Sequence, residues 1–187
     1  MSKVVKSILE HNQQFVQNKE YEAFQTDKFP NKRIVVLTCM DTRLIELLPK
    51  AMGIQNGDAK LIRNAGAMIT DPYDSITRSI LVALYELKAE EVLIVGHYGC
   101  GMTGLQAGQV LEKAYDRGVS SDAEAVMHAE GVSVHEWLRG FSDVEDNVHQ
   151  SVQVMRNHPL LPPGTPVHGL VISPETGELT SLDTAEM

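Results

Sequence analysis

The sequence predicts a single α/β domain, a central, mostly parallel β-sheet flanked by helices with an N-terminal helical arm. Three observations predict it. Two continuous apolar runs of strand length, "RIVVLTC" and "EVLIVGH", fit strands buried on both faces. Helical stretches alternate with these strands, a succession that implies right-handed crossovers and a parallel sheet. The 187 residues, 43% of them apolar, suffice for one core of ordinary domain size, so residues 1–187 are read as one domain with residues 1–28 as its arm.

From the N-terminus, Val4, Val5, Ile8, Leu9 and Phe15 fall at roughly helical spacing, which predicts an amphipathic helix through Phe24 able to pack on a partner subunit. "KFPNK" breaks that pattern, and "RIVVLTC" follows as a strand with Cys39 at its C-terminal tip. "LIELLPKAMGI" reads as a short helix that Pro49 must kink or bound. "DAKLIRNAGA" is a second strand running into a glycine turn, Ser75 to Leu87 an apolar helix, and "EVLIVGH" a third strand ending at His97. Helix-compatible stretches follow at Leu105 to Tyr115, Ala123 to Leu138 and Val144 to Met155. After the proline-rich "HPLLPPGTP", the run "VHGLVISPETGELTSL" reads as strand, turn and strand. Repeats, low-complexity tracts and linkers are absent.

Charge and composition narrow the function. The opening "MSKVVKSILEHNQQF" lacks the uninterrupted apolar stretch of a secretory signal. No apolar run is long enough to span a membrane, and a soluble, cytoplasmic protein is expected. A formal net charge of -9 argues against nucleic acid as a partner, since phosphate binding needs clustered Lys and Arg. In a reducing compartment the two cysteines, Cys39 and Cys100, are expected to be free, redox-active or metal-bound rather than disulfide-linked.

Their neighbours decide among these. "HYGC" puts His97 and Cys100 three residues apart with Gly99 between them, so both side chains can face one point. In parallel sheets ligands bind at the carboxyl ends of strands, and Cys39 ends one strand as His97 ends another. Two thiolates and an imidazole suit zinc, and three protein ligands leave the fourth tetrahedral position open, as in catalytic rather than structural sites. In "CMDTR", Asp41 can accept the proton of a metal-bound water or take the fourth position itself. Arg43 can hold Asp41 ionised and aimed through a bidentate salt bridge.

"TCMDTR", "RNAGA" and "GHYGCGM", in this order and spacing, resemble the C-x-D-[ST]-R and H-x-x-C signatures of the β-class carbonic anhydrases, closest to their compact archaeal-like and bacterial branch. The likeness extends through "LIELLPKAMGIQNGDAKLIRNAGA" and "VHGLVIS", most of the chain. It implies one zinc per subunit held by Cys39, His97 and Cys100, with Asp41 and Arg43 as the catalytic dyad. It implies the reversible hydration of carbon dioxide to bicarbonate and a proton by a zinc-bound hydroxide. It further implies a homodimer or higher homo-oligomer assembled through the arm. The plant-like branch shapes its carbon dioxide pocket with a glutamine and a tyrosine where this chain has Pro30 and Val82, so the polar assistance differs here.

Bland readings stand beside these. A lone strand-end cysteine is more often a small core residue. Asp41 and Arg43 would ordinarily be a capping carboxylate and a solvated base. "RNAG" is equally a strand end and turn or a pocket lining, with Gly66 serving close packing. The histidines at 11, 128, 135, 149, 158 and 168 read as surface or loop residues. The rival functions are hydrolysis of a related small cumulene, carbon disulfide or carbonyl sulfide, at the same metal, and a catalytically silent zinc or thiol module.

Overall fold

The computed structural model describes residues 1–183. β1 (Ile34–Cys39) lies between β2 (Ala59–Asn64) and β3 (Glu91–His97), both parallel to it. β4 (Val167–Ile172) pairs parallel with β3, and β5 (Leu179–Ser181) returns antiparallel through the "PETG" turn, giving the order β2-β1-β3-β4-β5. The chain thus reverses its direction of winding between β1 and β3. A switch of this kind opens a crevice at the carboxyl ends of the two strands. Register places Thr38 beside Val95 and Cys39 beside Asn64, while His97 lies beside Ile172.

The side-chain alternation of the strands feeds two apolar layers. On one face Val35, Leu37, Val92, Ile94, Val167 and Val171 pack with α3 (Ser75–Glu86) and α7 (Val144–Arg156). On the other, Val36, Val95 and Ile172 pack with Leu44 and Leu48 of α2 (Leu44–Ala51). Asp74 caps α3 by accepting from the Thr77 N–H, and Asp143 caps α7 by accepting from those of Glu145 and Asp146. α7 buries Val144, Val148, Val152 and Met155, but also Asn147 and Ser151 on the same face.

Three expectations are refined. The arm is not one helix through Phe24: α1 (Lys3–Gln17) stops where Lys19 turns left-handed at φ 56°, and a 3-10 turn covers Glu20–Phe24. No residue of α1 is buried, and Phe15 meets Phe24 with ring centroids 6.2 Å apart. Pro49 does not bound α2, which runs on to Ala51. Placed in the last turns, the ring forfeits one helical hydrogen bond, and the Pro49 carbonyl accepts from the Ile54 N–H at 2.8 Å. The stretch from Ala123 to Leu138 is split by Gly131, at φ 82°, into α5 (Ala123–Ala129) and α6 (Val134–Trp137); α4 (Ala107–Asp116) precedes them. No helix of the described residues is long and apolar enough to cross a membrane.

At Gly96, β3 and α7 pack too closely to admit a side chain. A Cβ there would lie 2.7 Å from Val148 Cγ2 and 2.8 Å from Val144 Cγ2. Gly96→Ala is expected to push α7 outward and lower stability by about 1–3 kcal/mol, measured by urea denaturation; an unchanged midpoint would show that the helix yields without cost.

Candidate metal centre

The tips of β1 and β3 deliver Cys39 and His97 to one point, and the turn after β3 brings back Cys100. The two sulfurs and an imidazole nitrogen all lie within 4.8 Å of one another, with sulfur to sulfur at 3.8 Å. All three side chains are buried, at 4%, 1% and 6% exposure. Gly99, at φ 63°, supplies the left-handed step that folds Cys100 back toward the histidine.

The histidine ring is oriented from one side only. Its Nδ1 lies 2.9 Å from the Tyr98 carbonyl, which can only accept, so Nδ1 donates there and Nε2 is left to face the thiols. Nε2 is buried without a hydrogen-bond partner. A buried nitrogen left so is costly in a finished protein, and here it faces two thiols. A metal ion fits that vacancy of bonding, and the set of two sulfurs and one nitrogen could hold one.

The electrostatics separate the two thiols. Burial would push the Cys39 thiol up, but His97 and the backbone N–H groups of Gly66 and Asp41 outweigh it and bring the group down to about 7. Cys100 is pushed up to about 11 by burial and by the neighbouring Cys39. Of the two thiols, Cys39 is therefore the readier to ionise. Gly66 N–H donates to Cys39 Sγ at 3.4 Å and Met102 N–H to Cys100 Sγ at 3.5 Å.

Asp41 stands outside the cluster of donors. Its Oδ1 accepts from the Arg43 backbone N–H at 2.9 Å and from Nε at 3.0 Å, and its Oδ2 accepts from Nη2 at 2.8 Å. Nη2 also donates to the Gly99 carbonyl at 2.9 Å, tying the dyad to the turn that carries Cys100. Arg43 holds the Asp41 carboxyl well below the usual carboxylate range. Asp41 Oδ2 still lies 3.8 Å from His97 Nε2, at the edge of the site. Of the two roles open to Asp41, this conformation displays the carboxylate held by Arg43.

Gly66 bears out the turn and the close packing read in "RNAG". It sits at φ 84° with Ala67 beside it at φ 55°, and a Cβ on Gly66 would lie 3.0 to 3.1 Å from Phe141, Met102 and Met68. It also hydrogen-bonds a candidate ligand, which the sequence did not disclose. A non-glycine residue held left-handed costs about 1–2 kcal/mol, and three side chains clamp the turn against that strain. Asn64 Nδ2 donates to the Met68 carbonyl at 2.7 Å, Asn147 Nδ2 to the Gly66 carbonyl at 3.1 Å, and the Ile69 N–H donates to Ser151 Oγ at 3.0 Å. Arg63 Nη2 reaches the Leu44 carbonyl at 3.1 Å, joining β2 to α2.

Other expectations fare unevenly. Of the six remaining histidines, His158 lies in a loop, as expected, but is buried there: its Nδ1 accepts from the Leu160 N–H, and its ring packs edge-on against Tyr73. His168 is partly buried against Asp183. Val82 lies on the exposed side of α3, and Pro30 is buried in the loop before β1.

A sequence model of the carbonic anhydrase family matches residues 34–179, from β1 into β5. The Bacillus subtilis protein YvdA, provisionally named a carbonic anhydrase, is 58% identical over 173 residues, covering 92% of this chain and 88% of its own. A carbon disulfide hydrolase of Acidithiobacillus thiooxidans is 33% identical over 157 residues, covering 80% and 76%. Among solved structures, β-carbonic anhydrase isoform I of Trichomonas vaginalis superposes with a TM-score of 0.85 at 33% identity, covering 97% of each chain. With the match spanning the sheet and every residue of the centre, the chain belongs to the β-class carbonic anhydrase family.

Proposed function

We propose that this protein is a zinc-dependent carbonic anhydrase that interconverts carbon dioxide and bicarbonate, with Cys39, His97 and Cys100 as the metal ligands. The observation that carries this is the buried, unpartnered Nε2 of His97 facing the two cysteine sulfurs. Three ligands leave one tetrahedral position open, which suits catalysis over structure. When bound, zinc supplies a Lewis acid that makes water nucleophilic near neutral pH.

The protein's own residues do the rest. Asp41 is the catalytic partner of the water. Its carboxylate stays ionised through the neutral range, so it accepts a hydrogen bond and fixes the direction of the oxygen lone pair. Arg43 occupies both carboxylate oxygens and is itself held by the Gly99 carbonyl, which keeps Asp41 aimed. The sign follows from the depressed carboxyl of Asp41: it remains charged as pH falls from alkaline to neutral, and its ion pair stabilises the fold until the pH drops through that lowered value. Loss of activity between pH 8.5 and 7 therefore does not come from protonating Asp41.

A second reading has an observation of its own, the relative named a carbon disulfide hydrolase: the same centre would act on a sulfur-containing cumulene. The exposed apolar residues Val4, Ile8 and Leu9 of α1 support assembly as a homodimer or higher homo-oligomer.

Stopped-flow hydration of carbon dioxide by zinc-loaded protein is expected to show turnover at both pH 7 and pH 8.5, abolished by Cys39→Ser. Zinc bound with no turnover above buffer, together with hydrolysis of carbon disulfide, would transfer the assignment to the second reading. Arg43→Gln is expected to lower kcat/KM by roughly 10²-fold while metal content by atomic absorption stays at one zinc per chain. Light scattering should give at least twice the 20.6 kDa chain mass, and Ile8→Glu with Leu9→Glu should shift it toward that mass.

A further inference from the structure

We propose that Asn147, on α7, is a positioning residue of the metal centre: its amide holds the carbonyl side of Gly66 so that the N–H side stays donated to the Cys39 sulfur. The inference rests on the reading of Cys39 as a metal ligand.

The chain of contacts is short and buried. Asn147 is 5% exposed and donates to the Gly66 carbonyl at 3.1 Å. Because that carbonyl can only accept, the amide must present its NH2 there, which fixes its orientation. Gly66 donates in turn to Cys39 Sγ at 3.4 Å. Glycine has the widest φ/ψ freedom of any residue, so a Gly66 held at one end could turn its N–H away from the sulfur. Held at both ends, it cannot.

A polar amide is also out of place on this face of α7. Val144, Val148 and Val152 surround it as core residues, and an apolar residue would bury there at lower cost. Asn147 borders a cavity of about 750 Å³ between Met68 and α6, so its carbonyl oxygen has an outlet while its NH2 is committed. Ser151, one helical turn on, secures the same loop but at Ile69. It therefore separates general anchoring of the loop from an effect on the ligand.

A hydrogen bond to a thiolate lowers the energy of the sulfur lone pair, so its loss should be visible in the bond from sulfur to metal. The test compares Asn147→Leu and the shape-conserving Asn147→Asp with Ser151→Ala, by two readouts. In metal-free protein, NMR-detected exchange of the Gly66 amide is expected to quicken roughly tenfold in either Asn147 variant, the order allowed by losing one hydrogen bond. Ser151→Ala should quicken Ile69 and leave Gly66 alone. In cobalt(II)-substituted protein, the thiolate-to-metal charge-transfer band is expected to move to lower energy in the Asn147 variants and not in Ser151→Ala.

Unchanged Gly66 exchange in both Asn147 variants would overturn the inference, as would an equal band shift from Ser151→Ala. If wild-type protein takes up cobalt without any thiolate band, it is the reading of Cys39 as a ligand that fails, and the exchange measurement alone then decides what Asn147 does.

Discussion

The centre depends on the parallel pairing of β1 with β3. Cys39 and Cys100 are 61 residues apart in the chain, and no local motif could set one sulfur 3.8 Å from the other. The register that puts Thr38 against Val95 does so, because both strands then end at nearly the same level with the thiol and the imidazole projecting from their tips. Thr38 reinforces it, its buried hydroxyl donating to the Val95 carbonyl at 3.0 Å. A slip of one residue would turn Val36 and Val35 to opposite layers of the core and carry Cys39 away with them. The apolar core thus enforces the geometry of the polar site.

Around that pairing the molecule arranges a graded set of polar groups. The buried end consists of sulfur, imidazole and backbone N–H, and it eases the ionisation of Cys39 relative to Cys100. The open end holds Arg43, about half exposed, and Asp41, with 18% of its side chain accessible. An ion pair so placed is neither fully desolvated nor left to water, and its three hydrogen bonds set its direction more than its strength. Gly99 joins the two ends, since its carbonyl receives Arg43 while its left-handed backbone turns Cys100 inward.

Much of this was legible in the amino-acid sequence because it follows from patterns of short range. Apolar runs located β1, β3 and β4, and the strand tips located Cys39 and His97 at one end of the sheet. The spacing in "CMDTR" announced the Asp41–Arg43 ion pair, and that in "HYGC" the convergence of His97 with Cys100. What escaped was decided by tertiary contact. The break in the arm at Lys19 left no apolar signal, and Gly131 split a helical stretch whose composition stayed helix-compatible throughout. His158 is buried in the loop after α7, and its ring contact with Tyr73 comes from far away in the chain. Asn147 was hidden in another way: a polar residue among Val144, Val148 and Val152 could have been noticed, but its partner, the Gly66 carbonyl, is a backbone atom that no side-chain pattern announces.

α1 makes its own demand on the surroundings. It has 15 residues, none buried, near the length at which an isolated helix in water is only marginally stable. The Ser2 cap and the Phe15 contact with Phe24 give it a defined start and an anchored end, yet nothing in the single chain repays the order of its middle. Its helicity therefore draws little support from the rest of the chain. A separated chain is expected to keep its sheet while the arm frays, and if α1 packs on a partner, that contact would complete its helix after the core has formed.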